Sequence, residues 1–93
     1  MALTQLDTNF FRVRFDRCTP GEKNYLLAMA ELGVESPRSG DIATMLKKEV
    51  NQVAPMRHSL IRKGMIYSPS HGDNAFTVPL FGAYMKRTMQ MPF

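Results

Sequence analysis

Cysteine occurs once in this chain, as Cys18, and that scarcity removes two classes of small domain. A disulfide framework and a multi-cysteine zinc site are both excluded within one chain, and a reducing cytoplasm is the expected compartment. No apolar run approaches the roughly 20 residues that a membrane-spanning helix needs, so no membrane partner is expected. The opening MALTQLDTNFF carries neither the basic nor the apolar region of a signal peptide. Gly-rich phosphate loops are missing: neither GxxxxGKS/T nor GxGxxG occurs, and the chain should neither bind nor hydrolyse a nucleotide by itself. Histidine is sparse too. His58 and His71 stand on different elements, and Ser59 adjoins His58, so the two side chains diverge on a helix. No third group is placed to orient either histidine. Neither a metal site nor nucleophilic catalysis is therefore expected, no cofactor is implied, and the chain reads as non-enzymatic. There is no internal repeat and no low-complexity segment.

What is present is one small globular domain: 93 residues, 44% hydrophobic and 22% charged. The net charge of +4 is a weak pointer to polyanions by itself, but its placement says more. Residues 1–37 hold four basic groups against five acidic ones. Residues 38–63 hold six basic groups (Arg38, Lys47, Lys48, Arg57, Arg62, Lys63) against two acidic ones (Asp41, Glu49). The last thirty residues hold Lys86 and Arg87 against Asp73. The basic excess sits in the middle of the chain.

That middle, residues 39–64, reads as two short helices joined by a tight turn and ended by Gly64. Ser39 is placed to cap the first of them, with Asp41 complementing the helix dipole and Ile42, Ala43 and Leu46 facing inward. The second starts at Val50 or Asn51, with Asn51 as a candidate cap, and runs to Lys63. Pro55 must lie in or near its first turn, because a proline further inside interrupts the hydrogen-bond ladder. Val53, Met56, Leu60 and Ile61 recur at helical spacing and make its buried face. An earlier helix opens at Thr19, with Pro20 at its first position and Glu22 completing a capping box, and closes at Gly33. Leu26, Met29 and Ala30 form its apolar stripe, with Tyr25 and Leu27 at the edges. Residues 65–68 and 75–78 are strand candidates, joined through Gly72, Asp73 and Asn74. Leu80, Phe81, Tyr84, Met85 and Thr88 fall on one side of a last helix. Helix, turn, helix and hairpin in this order predict a mainly α fold with a small β-hairpin, a winged helix-turn-helix with a three-helix core, a wing and a C-terminal helix. Its core should hold Leu26, Met29, Ala30, Ile42, Leu46, Val53, Met56, Leu60, Ile66, Phe76 and Val78.

The segment before Thr19 is open to more than one reading. Alternation of Phe11, Val13 and Phe15 with arginines suits a short strand or an extended lead-in, and LTQLDTNFF, residues 3–11, suits the tail of a longer helix. Aromatic and arginine side chains together can stack on single-stranded nucleic acid, or anchor a terminal segment onto a core. Cys18 reads as a buried structural thiol; its place beside a helix start would otherwise lower its pKa.

With Val53, Met56, Leu60 and Ile61 inside, the third helix turns Asn51, Pro55, His58, Ser59 and Arg62 outward, flanked by Gln52 and Lys63. These are side chains that read duplex DNA: arginine suits guanine, asparagine and glutamine suit adenine. Arg38, Lys47 and Lys48 are placed to contact phosphate, which fixes register. His71 and Asn74, at the hairpin tip, are placed to reach a neighbouring groove or backbone. Arg57, at the edge of the apolar stripe, is expected to snorkel or to pair with an acid. The alternative reading is a protein-interaction or regulatory domain, motivated by Phe10, Phe11, Tyr84, Met85, Met89, Met91 and Phe93. A homodimer through the terminal helices is a third.

The runs FDRCTPGEKNYLLAMAELG, RSGDIA and VAPMRHSLIRKGMIYSPSHGDNAFTVPLF carry a resemblance over residues 10–87. Together they resemble the C-terminal winged-helix domain of a group of bacterial AAA-type ATPases, related in architecture to archaeal and origin-recognition ATPases. The resemblance implies double-stranded DNA contact through the third helix and the wing, and an upstream ATPase module that holds the nucleotide site. It makes residues 1–18 a linker or the end of a lid helix and residues 19–93 the winged-helix domain, excised or stand-alone. The chain departs from the pattern at KKEV, where the family has a short-loop residue, and at Gly82 and Ala83.

Overall fold

A computed structural model describes residues 13–77. Phe10, Phe11, Val78 and the expected last helix lie outside the described residues, as do Tyr84, Met85, Met89, Met91 and Phe93.

Residues 13–16 are helical, so the strand reading fails there; residues 3–11, expected as the tail of a longer helix, lie outside the described residues. Phe15 is buried in the core with Lys23 Nζ 5.4 Å from its ring centroid. It anchors this segment and is not free to stack on a base. Helix α1 spans Pro20–Leu32. Thr19 Oγ1 accepts from the Glu22 N–H at 3.2 Å, and Glu22 Oε1 accepts from the Thr19 N–H at 2.9 Å. This reciprocal pair satisfies two donors that a helix start leaves over. Gly33 closes the helix at φ 69°, where a Cβ would be strained. Leu26, Met29 and Ala30 are buried as expected, but so are Tyr25, Leu27 and Ala28. Six buried residues in a row make α1 the central helix and not an amphipathic surface one.

Helix α2 spans Ser39–Met45 and α3 spans Val50–Arg62. Both pack on α1 and on each other. Ser39 is not the cap of α2: Arg38 holds that position without a side-chain bond, and Ser39 uses its hydroxyl elsewhere. Asn51 is not the cap of α3 either. The Glu49 N–H donates to Gln52 Oε1 at 2.7 Å, so the cap lies two residues earlier. Pro55 consequently sits in the second turn, deeper than expected. Its missing N–H leaves the Asn51 carbonyl without a helical donor, which is tolerable because both residues face solvent. Ile42, Val53, Leu60 and Ile66 are fully buried, while Leu46, Met56 and Phe76 are half-buried against them.

The strands are shorter than expected. β1 (Ile66–Tyr67) pairs antiparallel with β2 (Ala75–Phe76), Ile66 opposite Phe76 and Tyr67 opposite Ala75. Ile66 points inward and Tyr67 outward, as the alternation requires. Among the described residues the fold is mainly helical with this one two-stranded sheet.

Asn74, just before β2, ties these parts together. It is fully buried. Its Oδ1 accepts from Tyr25 Oη of α1 at 2.8 Å and from Arg57 Nε of α3 at 2.9 Å. Its Nδ2 donates to the Pro37 carbonyl and to Ser39 Oγ, each at 3.1 Å. An amide offers two donors and two acceptor sites, and all four are used here. The backbone reinforces the same seam: the Asn74 N–H donates to the Pro37 carbonyl, the Ser39 N–H donates to the Gly72 carbonyl, and Arg38 bridges Asp73. Replacing Asn74 would strand several buried polar groups at once, each costing roughly 1–3 kcal/mol. Asn74→Ala should therefore lower unfolding free energy by about 2–4 kcal/mol in urea titrations, with Tyr25→Phe costing about 1 kcal/mol. The double variant should cost less than the sum, because both remove the same network.

Candidate nucleic-acid interface

The residues expected to face DNA divide into two groups once α3 is in place. Asn51, Gln52, Pro55, His58 and Arg62 are exposed. Asn51, Pro55, His58 and Arg62 follow one another at spacings of four, three and four, which draws a single stripe along the helix. Gln52 stands beside its start with Oε1 engaged in the cap.

The other group turns inward. Lys63 Nζ lies 2.6 Å from Glu22 Oε1, and the Glu22 side chain is only 5% exposed. Ser59, half-buried, also hydrogen-bonds to Glu22. Met56, Ser59 and Lys63 share one side of α3, and that side meets α1: a Cβ on Gly21 would stand 2.8 Å from Met56 Sδ. Lys63 is thus committed to an ion pair and is not a spare phosphate contact. Asn74, the interior hub, cannot reach a groove of DNA at all. Arg57 is half-buried and pairs with no described acid. Its Nε donates to Asn74, and its Nη2 donates to the Asp73 carbonyl at 3.3 Å.

Arg38, Lys47, Lys48 and His71 are all exposed; Lys47 and Lys48 border a shallow pocket with Gly21, Asn24 and Met56, towards α1, while His71 stands near His58. Of the six cations of residues 38–63, Arg57 and Lys63 are engaged by described partners, and Arg38, Lys47, Lys48 and Arg62 are exposed outside those two contacts. The turn that carries the lysines is unusual. The Lys48 N–H donates to the Ala43 carbonyl and the Lys47 N–H to the Thr44 carbonyl, a Schellman closure of α2. The end of α3 repeats it, with the Met65 N–H to the Leu60 carbonyl and the Gly64 N–H to the Ile61 carbonyl. In the second copy the left-handed position is glycine, Gly64 at φ 75°. In the first it is Lys47, at φ 59°, the one described non-glycine residue with positive φ. A side chain there costs about 1 kcal/mol over glycine.

His58 and His71, on separate elements, line one groove between α3 and the hairpin loop, together with Val53, Ala54, Arg57 and Ile61. No group of three or more potential metal ligands occurs among the described residues. Cys18 is buried, with Sγ 3.6 Å from the Arg14 carbonyl. Burial pushes its thiol up, and the neighbouring Glu22 carboxylate adds to the shift, the opposite of a reactive thiol at a helix start. No described helix is long and apolar enough to cross a membrane.

The described residues thus define a small, mainly helical domain with one two-stranded antiparallel sheet and a polar, basic helix face. Residues 8–85 match a family described as "Domain of unknown function (DUF8462)", and the chain belongs to that family. No curated protein and no solved structure matches the chain.

Two outcomes separate structural residues from surface ones. Burial pushes the Glu22 carboxyl up, but hydrogen bonds from Lys63, Ser59 and the Thr19 N–H outweigh it and hold the group at about 2. A depressed pKa means that the folded state binds fewer protons than the unfolded one. The stabilisation is full above the ordinary value of 4.5 and is lost as pH falls towards 2. Thermal unfolding of the parent should lose on the order of 2 kcal/mol across that window, discounted because Lys63 is part-exposed and screened. Glu22→Gln should flatten it. Lys47→Gly should raise stability by about 0.5–1 kcal/mol in the same melts, by removing the Cβ from a left-handed position.

Proposed function

We propose that the chain is a non-enzymatic winged-helix module that binds double-stranded DNA, laying α3 in the major groove with the hairpin as its wing. The observation that carries this reading is the α3 stripe of Asn51, Pro55, His58 and Arg62, the exposed face of the helix that follows a tight turn. Asparagine and arginine there match adenine and guanine edges, and histidine is an adaptable donor or acceptor. Arg38, Lys47 and Lys48, exposed at the two ends of α2, serve in this reading as phosphate contacts that fix register. The order of elements supports the reading, because a second helix of a helix-turn-helix is the one presented to the groove. The Lys47 strain supports it too: a lysine is kept where glycine would be more stable. The sequence resemblance extends the proposal to context, a C-terminal module of an AAA-type ATPase in the cytoplasm with the nucleotide site on an upstream module. A protein-docking role is the alternative. The residues that motivated it lie outside the described ones, and no described feature favours it.

Duplex titration at several salt concentrations tests the reading. Four exposed cations imply a slope of log K on log salt of roughly −3 to −4. Arg62→Ala should weaken binding by ~1–3 kcal/mol if Arg62 reads a base. Lys63→Ala should leave affinity nearly unchanged while lowering stability. No binding at low salt, or equal losses from Lys63→Ala and Arg62→Ala, would overturn the proposal.

A further inference from the structure

Arg57 is the one cation of residues 38–63 that helical spacing puts at the edge of the apolar stripe, and its surroundings in the fold are incomplete in one respect. The guanidinium is half-buried and pinned by Nε to Asn74 Oδ1 and by Nη2 to the Asp73 carbonyl. Both partners are neutral oxygens. The one ion pair among the described residues is Lys63 with Glu22, so Arg57 carries its charge without a described carboxylate. Its Nη1 donates to no described residue. No described side-chain nitrogen or oxygen is both buried and unpartnered, so Nη1 opens to solvent. Arg57 lines a groove together with His58, His71, Ser39, Ser68 and Gly72. A part-desolvated cation without countercharge is costly, and an anion supplied from outside relieves that cost.

We propose that this groove is a phosphate-binding site. Arg57 Nη1 supplies the fixed charge, and His58 and His71 close on the phosphate oxygens from the helix and from the loop. A guanidinium already held by two hydrogen bonds loses little freedom on binding, unlike a surface lysine, and its planar fork suits phosphate geometry. The site deepens the duplex reading: it gives the DNA backbone a rigid seat between α3 and the wing. Only the DNA source rests on that reading, because a free phosphate group would use the same groove.

The test is nitrogen NMR of the full chain, following Arg57 Nε–H and the rings of His58 and His71. Inorganic phosphate and a short duplex are titrated separately at low ionic strength, with chloride as the control. Saturable shifts of all three groups with either titrant, absent with chloride, support the site. Shifts with phosphate alone assign it to free phosphate, and shifts with duplex alone assign it to the backbone. Both histidines are exposed, so the His58→Ala, His71→Ala double variant should fold as the parent does and bind that titrant at least tenfold more weakly. Arg57→Lys should do the same, but it also touches Asn74, so the histidine variant decides. The proposal is overturned if chloride produces the same shifts, or if neither titrant moves the three groups. Only absence of duplex binding altogether counts against the duplex reading as well.

Discussion

One buried amide holds this domain in register. Asn74, in the hairpin loop, sits where α1, α3, α2 and the segment before α2 converge, and its side chain makes one hydrogen bond with each of them. A sheet of two residues per strand cannot fix the hairpin by its own ladder. The Asn74 network and the bridge between Arg38 and Asp73 supply what the short ladder does not. A side chain with two donors and two acceptors can be buried only when all four are matched, so the network tolerates a single arrangement of its parts. The position of the hairpin beside α3, and with it the groove between them, follows from that requirement.

Much of the fold was legible because local rules and the final structure agree. Thr19, Pro20, Glu22 and Gly33 bound α1 as the capping rules require, and Gly64 closes α3. Ile42, Val53, Leu60 and Ile66 are inside because their spacing puts them there. The misplacements have physical causes. Asn74 resembles an ordinary turn residue in a loop of Gly and Asp, and nothing local marks it as buried. Ser59 and Lys63 were placed outside because they are polar. They lie on the side of α3 shared with Met56, where the buried carboxylate of Glu22 waits for a donor. An ion pair between residues 22 and 63 has no local signature. Arg57 was read as an edge residue for the same reason.

The residues that break local rules cluster at the proposed surface. Lys47 holds a left-handed position that Gly64 holds in the equivalent turn, and Pro55 interrupts the ladder of α3 from within. Pro55 lies on the exposed stripe, and Lys47 is exposed in the turn that leads into α3. Local inconsistency of this kind is expected where selection acts on contacts outside the chain. The interior shows the reverse, with no described buried side-chain polar atom left unpartnered.

The central claim is that duplex DNA meets the α3 stripe and not another face. Cys18 is buried and its thiol is pushed up, so a cysteine introduced at the surface can be labelled selectively. A photo-crosslinker placed through Asn51→Cys probes the stripe, and one placed through Glu31→Cys probes exposed α1. With bound duplex, the account expects crosslinks from position 51 and none above background from position 31. Equal crosslinking from both positions, or crosslinking from 31 alone, would contradict it.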